Sequence, residues 1–144
     1  MKPTSLLTAC LLALSSLTAV PAFAQHHVSA TVSQSNQTSF KIEEPAFVIY
    51  LSNAGQIADF SVNARGKFAY DLHGRLEKAG PIAIDYDLHN RIEKIGDESI
   101  SYDLHGRVEK IGTLRISYDL HNRIDQIGDT RISYDFHGRV DNID

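Results

Sequence analysis

The chain has 144 residues, 42% of them hydrophobic and 22% charged, with one cysteine and no tryptophan. That length accommodates one small domain, and 18 acidic against 14 basic side chains leave no basic surplus for neutralising phosphates, which argues against a nucleic-acid partner. A lone cysteine rules out an internal disulfide and Cys-rich zinc sites.

The first segment, Met1 to Ala24, carries an early Lys2 and a mostly apolar stretch from Leu6 to Val20. Pro21 and the small-residue pattern Ala22-Phe23-Ala24 follow. These are the three regions of a secretory signal peptide cleaved after Ala24. Leu7-Thr8-Ala9-Cys10 is similar to a lipobox, but cleavage there would leave almost no apolar stretch ahead of the cysteine. The apolar run is too short and too rich in Ser and Thr for a transmembrane span. A periplasmic or secreted product without disulfides is expected, and losing Lys2 would leave 13 basic against 18 acidic groups, a formal charge of −5. Residues 25–39 are rich in Ser, Thr, Gln and Asn and read as a flexible polar tail ahead of a repeat domain over residues 40–144.

From Tyr70 onward the sequence repeats every 16 residues, with tyrosines at Tyr70, Tyr86, Tyr102, Tyr118 and Tyr134. The units are YDLHGRLEKAGPIAID, YDLHNRIEKIGDESIS, YDLHGRVEKIGTLRIS, YDLHNRIDQIGDTRIS and a shortened YDFHGRVDNID. A degenerate copy, Leu51-Ser52-Asn53-Ala54-Gly55-Gln56-Ile57, precedes them within residues 47–69 and has the character of a capping repeat. Positions 74, 90, 106, 122 and 138 alternate between Gly and Asn, two residues that tolerate positive φ. Each Asp-Leu-His-Gly/Asn-Arg run therefore predicts a type I turn closed by a left-handed residue in a G1 bulge, the connection of a β-hairpin. That register sets Asp103 opposite Arg107, Tyr102 opposite Val108 and Ser101 opposite Glu109. Lys110-Ile111 breaks strict alternation, so a bulge or strand end is expected before the turn at Gly112.

A solenoid with one 16-residue coil per layer is the rival arrangement. It would stack Asp over Asp and Arg over Arg about 4.8 Å apart, whereas hairpins set Asp against Arg every time. The predicted fold is therefore all-β, with tandem antiparallel hairpins in a curled single sheet or a barrel-like meander of roughly 10 to 12 short strands. Residues 40–51 would supply a first strand or a plug. Strands of about five residues are too short for an outer-membrane barrel, which needs about 9–11.

The tandem Tyr-Asp-x-x-Gly-Arg-[Leu/Ile/Val] units, over Tyr70 to Asp144, resemble the YD repeats of Rhs proteins and related toxin and adhesion shells. That resemblance implies strings of β-hairpins wound into a curved sheet. The units here are shorter than that family's, and no effector domain of the kind that often ends its members is expected, so the resemblance implies a fold and no activity.

Candidate chemistry concentrates on histidine. His73, His89, His105, His121 and His137 each follow an aspartate by two residues, a pattern that could hold metal ions or respond to pH. Equivalent residues of successive hairpins lie two strands, about 9.6 Å, apart, against zinc–ligand bonds of about 2.0–2.2 Å, which opposes a shared ion. A terminus beginning Gln25-His26-His27 would offer its amine, two amides and the His27 imidazole to Cu(II) or Ni(II), with His26 beside them. Ser117, Asp119 and His121 could be imagined as a hydrolase triad, but a nucleophile needs its base within about 2.6–3.2 Å and an enclosed oxyanion site. No catalytic residue and no cofactor is expected. The sequence-level reading is a non-enzymatic binding or structural module of the bacterial envelope, with an envelope protein or glycan as partner. It would work through the Asp/His/Arg turn edge, or self-associate through a sheet edge or apolar face. A periplasmic metal-binding protein is the alternative, and a hydrolase the second.

Overall fold

The computed structural model describes residues 26–32 and 37–144. The expected signal peptide, Cys10 and Gln25 lie outside the described residues.

The protein is all-β, with consecutive strands paired antiparallel within each of two sheets. Four strands, β1 (His27–Val32), β2 (Thr38–Glu43), β3 (Phe47–Ser52) and β4 (Ile57–Val62), form one sheet in chain order. Ten more form a second sheet, also in chain order: β5 (Phe68–Tyr70), β6 (Leu76–Ala79), β7 (Ile82–Tyr86), β8 (Ile92–Ile95), β9 (Glu98–Tyr102), β10 (Val108–Ile111), β11 (Leu114–Tyr118), β12 (Ile124–Ile127), β13 (Thr130–Tyr134) and β14 (Val140–Ile143). Neither sheet closes on itself. The hairpin repeats form one open sheet as expected, and the residues ahead of them add a separate four-stranded sheet, to which the polar segment contributes β1. Residues His27–Val32 pair residue for residue with Thr38–Glu43 as β1, and β2 and β3 bury Phe40, Ile42, Phe47, Ile49 and Leu51 on alternate positions. Such an apolar face needs covering, and it shares one core with Ile84, Ile92, Ile95, Ile100, Val108, Ile111, Ile116, Ile124 and Ile127 of the repeats.

Each repeat solves a parity problem. Ile92 and Ile95 are three residues apart, so a regular strand would turn them to opposite faces, yet both are buried. In the β7–β8 pair Tyr86 faces Ile92 and Asp85 faces Lys94, leaving Glu93 as an extra residue that resets the alternation. The same bulge at Glu109 puts Ser101 opposite Lys110, correcting the expected pairing of Ser101 with Glu109. Tyr102 does face Val108, and the Asp103 N–H donates to the Arg107 carbonyl, as the turn chemistry predicts. The left-handed residue is present in every copy, including Asn90 at φ 63° and Asn122 at φ 60°. On the opposite sheet margin, two-residue turns begin at a glycine with positive φ, as at Gly96, and the next residue has none, which is the type II′ pattern.

The degenerate copy makes the same turn in the other sheet. Gly55 has φ 77° and donates to the Ser52 carbonyl, while Ser52 Oγ accepts the Gln56 N–H in place of the repeat's aspartate. The tip of this turn inserts against the repeats. The Val108 N–H donates to the Gly55 carbonyl and the Ile124 N–H to the Asn53 carbonyl, each at 2.8 Å. A Cβ on Gly55 would overlap the Tyr118 ring, so only glycine fits there. This turn joins the two sheets.

Candidate functional site: the turn ridge

The five Asp-to-Arg turns, 71–75, 87–91, 103–107, 119–123 and 135–139, all lie along one margin of the ten-stranded sheet. Each is fixed by its aspartate. In the third, Asp103 Oδ1 accepts the backbone N–H groups of His105 and Arg107, both at 2.9 Å. Its Oδ2 accepts Arg107 Nε at 2.7 Å and Nη2 at 2.6 Å. The carboxylate is thus fully engaged. Partial desolvation pushes the Asp103 carboxyl up, but the Arg107 and His105 donors outweigh it and hold the group below the usual carboxylate range; Asp71, Asp87 and Asp119 behave alike. In Asp135 the backbone N–H of Arg139 is the leading cause of the same downward shift.

Each arginine also ties its hairpin to the next. Arg75 lies over the Tyr86 ring, Arg91 over Tyr102, Arg107 over Tyr118 and Arg123 over Tyr134, at 4.3, 4.1, 3.9 and 4.1 Å from the ring centres. Each tyrosine hydroxyl then donates back to the preceding hairpin, Tyr86 to the Leu76 carbonyl at 2.9 Å and Tyr102 to Ile92 at 2.7 Å. Burial pushes Tyr102 and Tyr134 up to about 12, against the lowering effect of the guanidinium, and raises Tyr118 further. The Gly/Asn alternation acquires a second meaning. Asn90 and Asn122 accept Nη1 of Arg75 and Arg107, whereas Arg91 and Arg123 lie against the bare α-carbons of Gly106 and Gly138.

With Asp and Arg occupied by one another, the tip residues face outward. The histidine rings are mostly exposed, each with Nδ1 3.9 or 4.0 Å from its own aspartate Oδ2. Beside them stand Leu72, Leu88, Leu104, Leu120 and Phe136, with 93% to 104% of their surface open. Scattered exposed apolar residues need no explanation, but five on successive tips about 9.6 Å apart draw a ridge about 38 Å long. Sequence reasoning passed over these five. Their signal was available, because the residue after the aspartate occupies a type I turn position that admits most residue types and points away from the sheet.

The other sequence candidates separate. His26 Nδ1 lies 2.5 Å from Glu44 Oε1 and His27 Nδ1 lies 3.3 Å from Glu43 Oε2, at the start of β1 and far in sequence from the turn histidines. Among the described residues no three His, Cys, Asp or Glu side chains converge as a metal site requires. Ser117 Oγ donates to Asp125 at 2.8 Å, while Asp119 is held by Arg123, so Ser117, Asp119 and His121 do not form a relay. Two grooves flank the inserted Ser52–Gln56 turn. One, of about 670 Å³, is lined by Gln56, Phe60, Arg75, Tyr86, Arg91 and Tyr102. The other, of about 940 Å³, is lined by Thr38, Asn53, Asp135, Gly138, Arg139 and Val140.

No protein-family model, curated protein or solved structure matches the chain.

Proposed function

We propose that this chain is a non-enzymatic binding module of the bacterial cell envelope whose working surface is the turn ridge. The observation that carries this reading is the line of five open Leu/Phe side chains on tips whose charged groups are already satisfied internally. A ridge so built presents apolar anchors on rigid turns, so little ordering entropy is lost on contact with a partner. Export in the reading rests on the signal-like first 24 residues, and the hairpin array agrees in kind with the YD-repeat resemblance. The fixed Asp–Arg pairs and the Ser117–Asp125 bond favour a binding role over hydrolysis, since Ser117 is turned to Asp125 and Asp119 is held by Arg123.

The test is partition of the exported protein with isolated cell envelopes. A variant with Leu72, Leu88, Leu104, Leu120 and Phe136 all changed to Ser should melt at the same temperature as the parent and lose envelope association. Unchanged association in a folded variant sinks the reading.

A further inference from the structure

The two end strands of the ten-stranded sheet carry the two halves of a joint that recurs inside it. In every internal repeat boundary, an arginine stacks on the tyrosine of the following hairpin, and that tyrosine's hydroxyl donates back across the boundary. At β14 the arginine half stands alone among the described residues: Arg139 holds Asp135 as its counterparts hold theirs, yet its side chain is 64% exposed against 17% to 34% for Arg75, Arg91, Arg107 and Arg123. At β5 the tyrosine half stands alone among the described residues: Tyr70 is 62% exposed, and Gln56 occupies the arginine position in the preceding copy. Phe68, the counterpart of the buried Ile84, Ile100, Ile116 and Ile132, is 56% exposed on the same strand.

We propose that a second copy of this chain docks head to tail, its β5 adding to the open edge of β14 in the antiparallel register by which β13 adds to β12. In that register the partner's Tyr70 takes the place that Tyr134 takes over Arg123, stacking on Arg139 and donating to the Val140 carbonyl. Among the described residues a groove of about 940 Å³ remains at this end, lined on one side by Gly138, Arg139 and Val140, the counterparts of the Asn122, Arg123 and Ile124 at the preceding boundary, and on the other by Thr38, Ser39, Ser52 and Asn53 of the four-stranded sheet. Charge agrees with the pairing. Exposed Asp141 and Asp144 belong to the β14 edge, whereas exposed Arg65 and Lys67 lead into β5. Joined so, the contact is heterologous, and the ridge of Leu and Phe tips continues from one copy into the next.

The directionality of the contact supplies its test. The purified 144-residue chain is followed by sedimentation velocity over rising concentration, beside Tyr70→Glu, which disables the β5 edge, and Arg139→Gln, which disables the β14 edge. The turn at Ser52–Gln56 already carries glutamine at the arginine position and keeps its hydrogen bonds, so Arg139→Gln preserves the hairpin. Should it melt early, Asp144→Lys replaces it by opposing the partner's Arg65, which the register of β13 on β12 sets across from position 144. The wild type should associate progressively, and each variant alone should associate at least tenfold more weakly. Mixed in equal amounts, the two variants should form dimers and nothing larger, because one intact edge of each kind remains. A wild type that stays monomeric to about 1 mM, variants that associate like the wild type, or a mixture that stays monomeric overturns the proposal.

Discussion

Replacing Arg107 by Ala removes a side chain that holds three partners at once, so its cost measures how the repeats are tied together. The guanidinium lies 3.9 Å from the centre of the Tyr118 ring, donates twice to Asp103 Oδ2 and reaches Asn122 Oδ1 at 3.0 Å, with only 17% of the side chain exposed. A partly desolvated cation–π contact contributes about 1–2 kcal/mol and the net hydrogen-bond loss about 1 kcal/mol, giving about 2–3 kcal/mol in all. At about 4 °C per kcal/mol for a domain of this size, the melting temperature should fall by about 8–12 °C. Arg139→Ala is the internal control. It removes the same residue from the same turn where, among the described residues, no tyrosine of the same copy lies beneath it, and at concentrations where the chain is monomeric it should cost a small fraction as much. Combining Arg107→Ala with Tyr118→Leu in a double-mutant cycle, read by urea unfolding, should return a coupling of about 1–2 kcal/mol. Equal losses for Arg107→Ala and Arg139→Ala, or a coupling near zero, would show that the repeats are held by their aliphatic core alone.

Gly55→Ala and Gly74→Ala share a positive φ but differ in surroundings, since only the first meets the Tyr118 ring. Thermal denaturation should show about 1 kcal/mol lost at Gly74, from backbone strain, and about 1–3 kcal/mol more at Gly55. Stability should also depend on pH at both extremes. The turn aspartates titrate lower when folded than unfolded, so their contribution is complete above about pH 4 and is lost as pH falls through the folded values. Tyr102 and Tyr134 titrate higher when folded, so their contribution is complete below about pH 10 and is lost as pH rises through about 12; denaturant midpoints across the range check both arms. Calorimetric titration with Cu(II), Ni(II) and Zn(II) should give no micromolar site at His73, His89, His105, His121 or His137, whose nearest carboxylates are committed to arginine. Micromolar binding lost on changing those histidines would restore the metal reading for the turns.

The hairpin unit was legible because its turn chemistry is local. Asp103 at the turn start, Gly106 or Asn122 in the left-handed place and Tyr102 opposite Val108 all follow from residues within seven positions of one another. The edge strand of the four-stranded sheet was not legible, because β1 has no period or turn signal of its own and exists through six backbone pairs with β2. The inter-repeat joint escaped for a related reason. Asp–Arg pairing within one hairpin is readable from spacing, but the stacking of Arg107 on a tyrosine eleven residues later needs the neighbouring strand to be in place. Leu104 and its counterparts went unnoticed because a leucine in a mixed pattern reads as core until the turn geometry turns it outward.

The central claim is that the tips, and no other face of the sheet, meet the partner. Photo-crosslinking in cells exporting the chain tests this most directly, with the reactive residue placed at Leu104 or Leu120 on the ridge and at Glu109 or Lys94 on the exposed strand face. Adducts from the two ridge positions alone are the expected result. Adducts from Glu109 and Lys94, with none from Leu104 and Leu120, would contradict the account.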